Sequence, residues 1–296
     1  MSIHESMQPG ADGPAGHPTR DPVTLRTLEQ MAGLGEPFAC LAAYDFTTAR
    51  WLERGGVHVL LAGDSAANVV LGFDSTVHAP LEFLVTITAA IKRGAPKTLV
   101  MADMPFLSYH RSESQALRNA GKFMTRGTAD CVKVEADASF APVVRAMTRA
   151  GIPVCAHVGS RPQTAAVTSG PKAAGRTRSE LQAIVDDAKA LEDAGAVLLL
   201  IEAVPEEVSA AVLEATTRPV IGIGAGQACH GQILVVNDLL GLTDRPPRFA
   251  DPVDDLGERI RAAGAEWVRR VGAREIGGKG YRMKAGEGPP RLSARA

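Results

Sequence analysis

Six short apolar runs in this chain each give out at residues that can do chemistry. They are Val59-Leu-Leu-Ala-Gly-Asp64-Ser65, Leu99-Val-Met-Ala-Asp103, Cys131-Val-Lys133-Val-Glu135, Val154-Cys-Ala-His157-Val-Gly159, Leu198-Leu-Leu-Ile-Glu202 and Val220-Ile-Gly222-Ile-Gly224-Ala-Gly226. Neighbouring carboxylates repel and raise one another's pKa unless a cation lies among them. Asp64, Asp103 and Glu135 therefore read as a site for a hard divalent cation, Mg²⁺ or Mn²⁺, which takes oxygen ligands and keeps waters and substrate oxygens. The plain alternative is that each carboxylate caps the helix after it or pairs with an arginine. Lys133 and Glu135 are two residues apart and so face the same side of a strand. A lysine there would hold a substrate carboxylate, polarise a carbonyl, or simply pair with Glu135. Ser65 can offer its hydroxyl and backbone N–H to a carboxylate, but Gly-Asp-Ser lacks the G-x-S-x-G elbow of a serine nucleophile. Glu202 ends the most apolar run, and burial raises a carboxyl's pKa toward neutrality, where it serves well as a general base. His157 would orient a ligand or donate to an oxygen, unless it is a satisfied core histidine.

Strands with such endings must be parallel, because only then do their C-terminal ends open on one face. Strand-like segments are predicted at 38–44, 58–62, 98–102, 131–135, 153–157, 197–202, 219–223 and 233–236. Helical spacing is predicted at 23–35, 47–55, 80–93, 112–126, 139–150, 179–194, 206–215 and 253–271. The strands are apolar on both faces, which suits a parallel sheet covered by helices, and eight β-then-α units favour closure. The predicted fold class is α/β, a (β/α)8 TIM barrel over residues 23–271, with a disordered tail at 1–22. Residues 272–296 are expected to be poorly ordered or to pack on a neighbouring subunit. The long Gly- and Pro-containing segment 164–177 on the active face is expected to act as a lid.

A length of 296 residues suits one barrel with tails, and 45% apolar residues supply a large core that 4% aromatic content makes mainly aliphatic. A net charge of -1 provides no field to attract nucleic acid or an acidic membrane. No apolar run reaches the roughly 18 residues that span a bilayer, and the first 22 residues lack the apolar stretch of a signal peptide. The four cysteines lack C-x-x-C spacing and are expected as reduced, buried thiols in a cytoplasmic protein. The Gly222-x-Gly224-x-Gly226 run lacks dinucleotide-binding spacing and is expected to let a loop approach a flat ligand.

A divalent cation, a lysine beside it and a separate base suit a 2-oxo acid bound through its carboxylate and keto oxygens. Removal of the proton next to the keto group gives an enolate that attacks a carbon electrophile, which is aldol-type chemistry. The residues that define this picture carry a wider resemblance. The runs Ala43-Tyr44-Asp45, Gly63-Asp64-Ser65, Ala102-Asp103-Met-Pro105-Phe106, Val132-Lys133-Val-Glu135, Pro153-Val-Cys-Ala-His157-Val-Gly159, Glu202-Ala-Val-Pro205, Gly222-Ile-Gly224-Ala-Gly226 and Gly231-Gln-Ile-Leu-Val resemble the 3-methyl-2-oxobutanoate hydroxymethyltransferase (ketopantoate hydroxymethyltransferase) family in order and spacing over about residues 23–270. The resemblance implies a TIM barrel of the phosphoenolpyruvate/pyruvate superfamily and a homo-oligomer, usually a decamer. It implies transfer of a hydroxymethyl unit from 5,10-methylenetetrahydrofolate to a 2-oxo acid in pantothenate biosynthesis. By the same resemblance Asp64, Asp103 and Glu135 match the Mg²⁺ ligands, Ser65 and Lys133 the oxo-acid contacts, and Glu202 the proton acceptor.

The chain also departs from that family. Ala66-Ala67-Asn68 follows Gly-Asp-Ser where Leu-Gly-Met is usual, and Ser160-Arg161 stands where Leu-Thr is usual. The Gly-Gly-Tyr-Lys loop reads Ser169-Gly-Pro171-Lys172, and His230 and Asn237 replace an Asp and a His. Ala66, Ala67 and Asn68 are expected to rewrite the acceptor wall. That leaves open a paralogue acting on a different 2-oxo acid or taking a free aldehyde. A non-catalytic binding subunit is disfavoured by retention of every candidate ligand and of Glu202.

Overall fold

The computed structural model describes residues 21–167, 170, 172–278, 280 and 281. Its elements run α1 (Leu25–Leu34), β1 (Phe38–Ala42), α2 (Phe46–Arg54), β2 (Val59–Ala62), α3 (Ala66–Val69), α4 (Leu81–Gly94), β3 (Leu99–Asp103), α5 (Glu113–Thr125), β4 (Cys131–Glu135), α6 (Ala141–Arg149), β5 (Val154–Gly159), α7 (Arg178–Asp193), β6 (Leu198–Glu202), α8 (Glu206–Ala215), β7 (Val220–Ile223), β8 (Gly231–Val235), α9 (Val236–Leu239) and α10 (Leu256–Ala273). The eight strands form a closed barrel in sequence order, each parallel to its neighbours, with β8 paired to β1. This is the expected TIM barrel. Residues 1–20 of the expected tail at 1–22, and most of that at 272–296, lie outside the described residues, as do Thr168, Ser169 and Pro171 of the expected lid.

Register explains why the functional side chains meet. Alternate residues of each strand face the barrel axis, and parallel pairing places inward residues side by side. Asp103 pairs with Lys133, Glu135 with His157, and Gly159 with Glu202. Leu200 and Ile221 continue that inward set, as do Leu61 and Met101. The N-terminal part of the barrel is filled by Phe38, Val59, Leu99, Cys131 and Leu198, all buried. The acids lie above this apolar plug, at the strand ends. All four cysteines are free and buried.

Outside, helices lay one apolar stripe on the sheet. In α4 the buried residues Leu84, Ile87, Thr88 and Ile91 recur at helical spacing. Asp45 and Ser112 cap α2 and α5 through the backbone N–H of Thr48 and Gln115, and a Thr177–Glu180 capping box starts α7. Two short helices, α3 and α9, are not legible in the pattern, and Val236 opens α9 rather than ending the last strand. Helix α10 buries none of its residues and exposes Ile260, Trp267 and Val268. Ala39 and Gln232, register partners on the outer side of β1 and β8, are exposed as well. Among the described residues no helix is long and apolar enough to cross a membrane.

Candidate active site

Gly63 follows β2 with no room for a side chain: a Cβ there would lie 2.9 Å from Ser65 Oγ and 3.6 Å from the Asp103 carboxylate. The chain therefore bends tightly, and the backbone N–H of Asp64 donates to Asp103 Oδ2 at 2.9 Å. Asp103 uses its other oxygen on Lys133 Nζ, 2.7 Å away, so neither carboxylate caps a helix. Asp64 Oδ2 accepts from Gln163 Nε2 at 2.8 Å, and Glu135 Oε2 accepts from the Gln163 backbone N–H at 2.9 Å. Ser65 Oγ shares a hydrogen bond of 2.8 Å with the Tyr44 hydroxyl. All six expected residues from β2 to β5, and Glu202 on β6, line one cavity of about 140 Å³ at the C-terminal mouth of the barrel.

The charges in this cavity do not balance. Asp64, Asp103, Glu135 and Glu202 face a single ammonium, Lys133. Burial, with the Asp103 charge added, pushes the Asp64 carboxyl up to about 7. Burial likewise raises Glu135 well above the usual carboxylate range, although Lys133 works against it. Glu202 is raised to about 7, mainly by burial, with Lys133 lowering it and Asp64 and Asp103 raising it. Burial also opposes the charge of Lys133, but the carboxylates of Asp103, Asp64 and Glu135 outweigh it and hold the ammonium protonated beyond its usual range.

His157 is fully buried, and burial together with the Lys133 charge keeps its pKa well below the usual histidine value. It is neutral at pH 7. Lys133 Nζ lies 3.2 Å from its Nδ1, and an ammonium can only donate, so Nδ1 accepts and the ring proton belongs on Nε2. That Nε2–H is buried and makes no hydrogen bond, with Glu202 Oε2 3.5 Å away. An unpaired buried donor costs about 1–3 kcal/mol, so its place beside the cavity suits an oxygen brought by a ligand.

The donor set suits a hard divalent cation. Asp64 and Glu135 each spend one oxygen on Gln163 and retain a second. Among the described residues no three His, Cys, Asp or Glu side chains already close round one point. A cation here would thus take few protein ligands and complete its shell with water and substrate oxygens, as Mg²⁺ commonly does.

Two sequence expectations are corrected. Ala66 and Ala67 are buried away from the cavity, and the Asn68 amide donates to the Phe73 carbonyl at 2.8 Å, so none of the three walls the cavity. Gly224, at φ 58, does not open space for a ligand: its Cβ would meet the Phe249 ring at 2.5 Å. Phe249, with Thr76, Pro247 and buried Asp238, forms wall that sequence patterning does not single out, because these residues lie in irregular segments or a short helix. Of the altered positions, His230 accepts the Val220 N–H through Nδ1, and Arg161 pairs with Asp137 at 2.7 Å.

A family model for ketopantoate hydroxymethyltransferase matches residues 22–278. The chain belongs to that family. Relatives named 3-methyl-2-oxobutanoate hydroxymethyltransferase include one from Pyrobaculum aerophilum, 44% identical over 83% of this chain and 93% of the relative. Another, from Hyperthermus butylicus, is 42% identical over 90% of this chain and 93% of its own length. A third, from Geobacillus sp. (strain WCH70), is 43% identical over 81% and 87%. This ketopantoate hydroxymethyltransferase family member is therefore a transferase enzyme. In fold it resembles 2,3-dimethylmalate lyase, a PEP mutase/isocitrate lyase superfamily member, with a TM-score of 0.56 at 18% identity over 88% of this chain and 90% of the other. Phosphonopyruvate hydrolase, solved with oxalate and Mg²⁺, gives 0.55 at 17% identity over 84% and 98%.

Proposed function

We propose that this enzyme transfers a hydroxymethyl group from 5,10-methylenetetrahydrofolate to the enolate of 3-methyl-2-oxobutanoate, giving 2-dehydropantoate for pantothenate biosynthesis in the cytoplasm. Asp64, Asp103 and Glu135 would hold Mg²⁺ (or Mn²⁺), which when bound makes the carbon beside the keto group acidic and steadies enolate charge. The observation that carries this reading is the placement of Glu202. Its carboxylate, raised to about 7, shares one small cavity with a protonated lysine and a neutral histidine N–H.

Each residue then has a task. Lys133 gives one N–H to Asp103 and one to His157, which leaves its third for the substrate carboxylate. The Ser65 hydroxyl, oriented by Tyr44, meets the same carboxylate. The His157 Nε2–H donates to a substrate oxygen. Glu202 takes the C3 proton, and the C–H electron pair becomes the enolate double bond. The enolate carbon bonds to the folate one-carbon unit, whose C–N bonds break, and water completes the hydroxymethyl group and tetrahydrofolate. The Glu202 side chain is 21% exposed, a route for its proton to reach solvent.

Because Glu202 works as a base with a pKa near 7, C3 exchange should fall in acid as its carboxylate is protonated. An acid limb at or below about pH 7, steepening to tenfold per pH unit, is expected in Mg²⁺-dependent exchange into D₂O. A rate flat from pH 5 to 8 would reassign the base. With Ala66, Ala67 and Asn68 off the cavity wall, the ordinary branched five-carbon acceptor is expected to win. Its kcat/KM should exceed that of longer or hydroxylated 2-oxo acids by about tenfold or more, since each methylene misfit is worth about 1–3 kcal/mol. A longer acid that wins would restore the shifted-acceptor reading. Replacing the folate with formaldehyde tests the donor separately. The same reading includes a homo-oligomer, supported by the exposed apolar residues of α10 and the uncovered β1–β8 seam; light scattering that returns a monomer would remove it.

A further inference from the structure

Gln163 lies in the short 3-10 turn after β5, 28 residues from Glu135 and 99 from Asp64 in sequence. It is 3% exposed. Its Nε2 donates to Asp64 Oδ2 at 2.8 Å and to the Met104 carbonyl at 3.2 Å. Its Oε1 faces the Tyr109 hydroxyl at 3.0 Å, and its backbone N–H donates to Glu135 Oε2 at 2.9 Å. The Met104 carbonyl can only accept, which assigns the amide nitrogen to that side and Oε1 to the Tyr109 hydroxyl. Tyr109 is fully buried and its hydroxyl also accepts the Glu135 backbone N–H at 3.1 Å.

One residue therefore ties the loops after β2 and β3 and the end of β4 to the loop after β5. The polar atoms of its side chain are spent on protein partners, so it has no donor left for substrate. We propose that Gln163, backed by Tyr109, is a positioning residue that brings two metal carboxylates to one place. The amide occupies Asp64 Oδ2 and the backbone N–H occupies Glu135 Oε2, so each carboxylate presents its second oxygen in a fixed direction. Without the brace, buried like charges are free to move apart, because among the described residues it is Gln163 that hydrogen-bonds both Asp64 and Glu135. Hydrogen bonds to ligating carboxylates of this kind commonly change metal affinity by about 10–100-fold when removed. The inference rests on the metal reading proposed above.

The test uses Gln163→Met, which keeps length and apolar volume, and Tyr109→Phe, which removes only the hydroxyl behind the amide. Mn²⁺ binding is read by electron paramagnetic resonance and Mg²⁺ binding by competition, with metal-free thermal unfolding measured alongside. Gln163→Met is expected to weaken both metals about 10–100-fold and to broaden the bound Mn²⁺ spectrum. Tyr109→Phe should weaken them less, about two- to tenfold, in the same direction. Metal affinity and spectrum within twofold of the unmodified protein in both variants, even with a lowered melting temperature, would mean a purely structural amide and would overturn the proposal. If Gln163→Met does not fold, Tyr109→Phe decides by the same criterion. Failure of the unmodified protein to bind Mn²⁺ would instead overturn the metal reading, and the brace with it.

Discussion

Glu202→Gln should lose roughly 10²–10⁴-fold in Mg²⁺-dependent exchange of the C3 proton of 3-methyl-2-oxobutanoate into D₂O. The amide keeps the shape of the side chain at the end of β6 but has no basic lone pair at neutral pH. Metal and oxo-acid binding should persist, because Asp64, Asp103, Glu135 and Lys133 are untouched and Glu202 touches none of them at bonding distance. Its polar neighbour is His157 Nε2 at 3.5 Å. The variant should therefore show a fall in kcat with KM changed little. Exchange at the unmodified rate would move the base elsewhere, with His157 next in line. That outcome would conflict with a neutral, Nε2-protonated ring, since a ring already donating from Nε2 and accepting at Nδ1 has no free lone pair.

Lys133→Met removes the single cation from a buried group of acids. Breaking a buried pair by deleting one partner costs roughly 3–5 kcal/mol, because the remaining charge stays uncompensated. Asp103 would lose its 2.7 Å ammonium partner while still accepting from the Asp64 N–H. Metal-free protein should thus unfold at markedly lower temperature. Added Mg²⁺ should recover part of the loss, since it brings positive charge to the same oxygens. At saturating Mg²⁺ the KM for the oxo acid should rise by about 100-fold or more, which reports the missing partner of the substrate carboxylate. A melting temperature and KM both near those of the unmodified protein would show that Lys133 is neither the charge partner nor the carboxylate anchor.

Much of this site is legible in the amino-acid sequence. The strand ends are readable because five of the six apolar runs reach a charged residue or histidine, and period-two alternation puts Lys133 and Glu135 on one side. Closure of the barrel then follows from the β-then-α rhythm, and closure brings Asp64, Asp103, Glu135, His157 and Glu202 to one mouth. What stays hidden lies where no period exists. Gln163 stands in the Pro162-Gln163 step after β5, in plain view, but nothing in a loop sequence says which way an amide points. Phe249 and Thr76 reach the cavity by irregular paths, so only three-dimensional packing shows them as wall. Asn68 misleads for the same reason: adjacency to Asp64 in sequence does not survive the turn into α3, which sends its amide to Phe73. The neutral state of His157 is also a tertiary effect, since it depends first on burial in the barrel and then on Lys133 from the neighbouring strand.

Transfer of the one-carbon unit itself is read by carbon-13 NMR of a reaction with methylene-labelled 5,10-methylenetetrahydrofolate and 3-methyl-2-oxobutanoate. The expected result is a labelled hydroxymethyl carbon in 2-dehydropantoate, formed only when enzyme, both substrates and Mg²⁺ or Mn²⁺ are present. No labelled product, with C3 exchange into D₂O still catalysed, would contradict the folate donor; absence of both product and exchange would contradict the reaction itself.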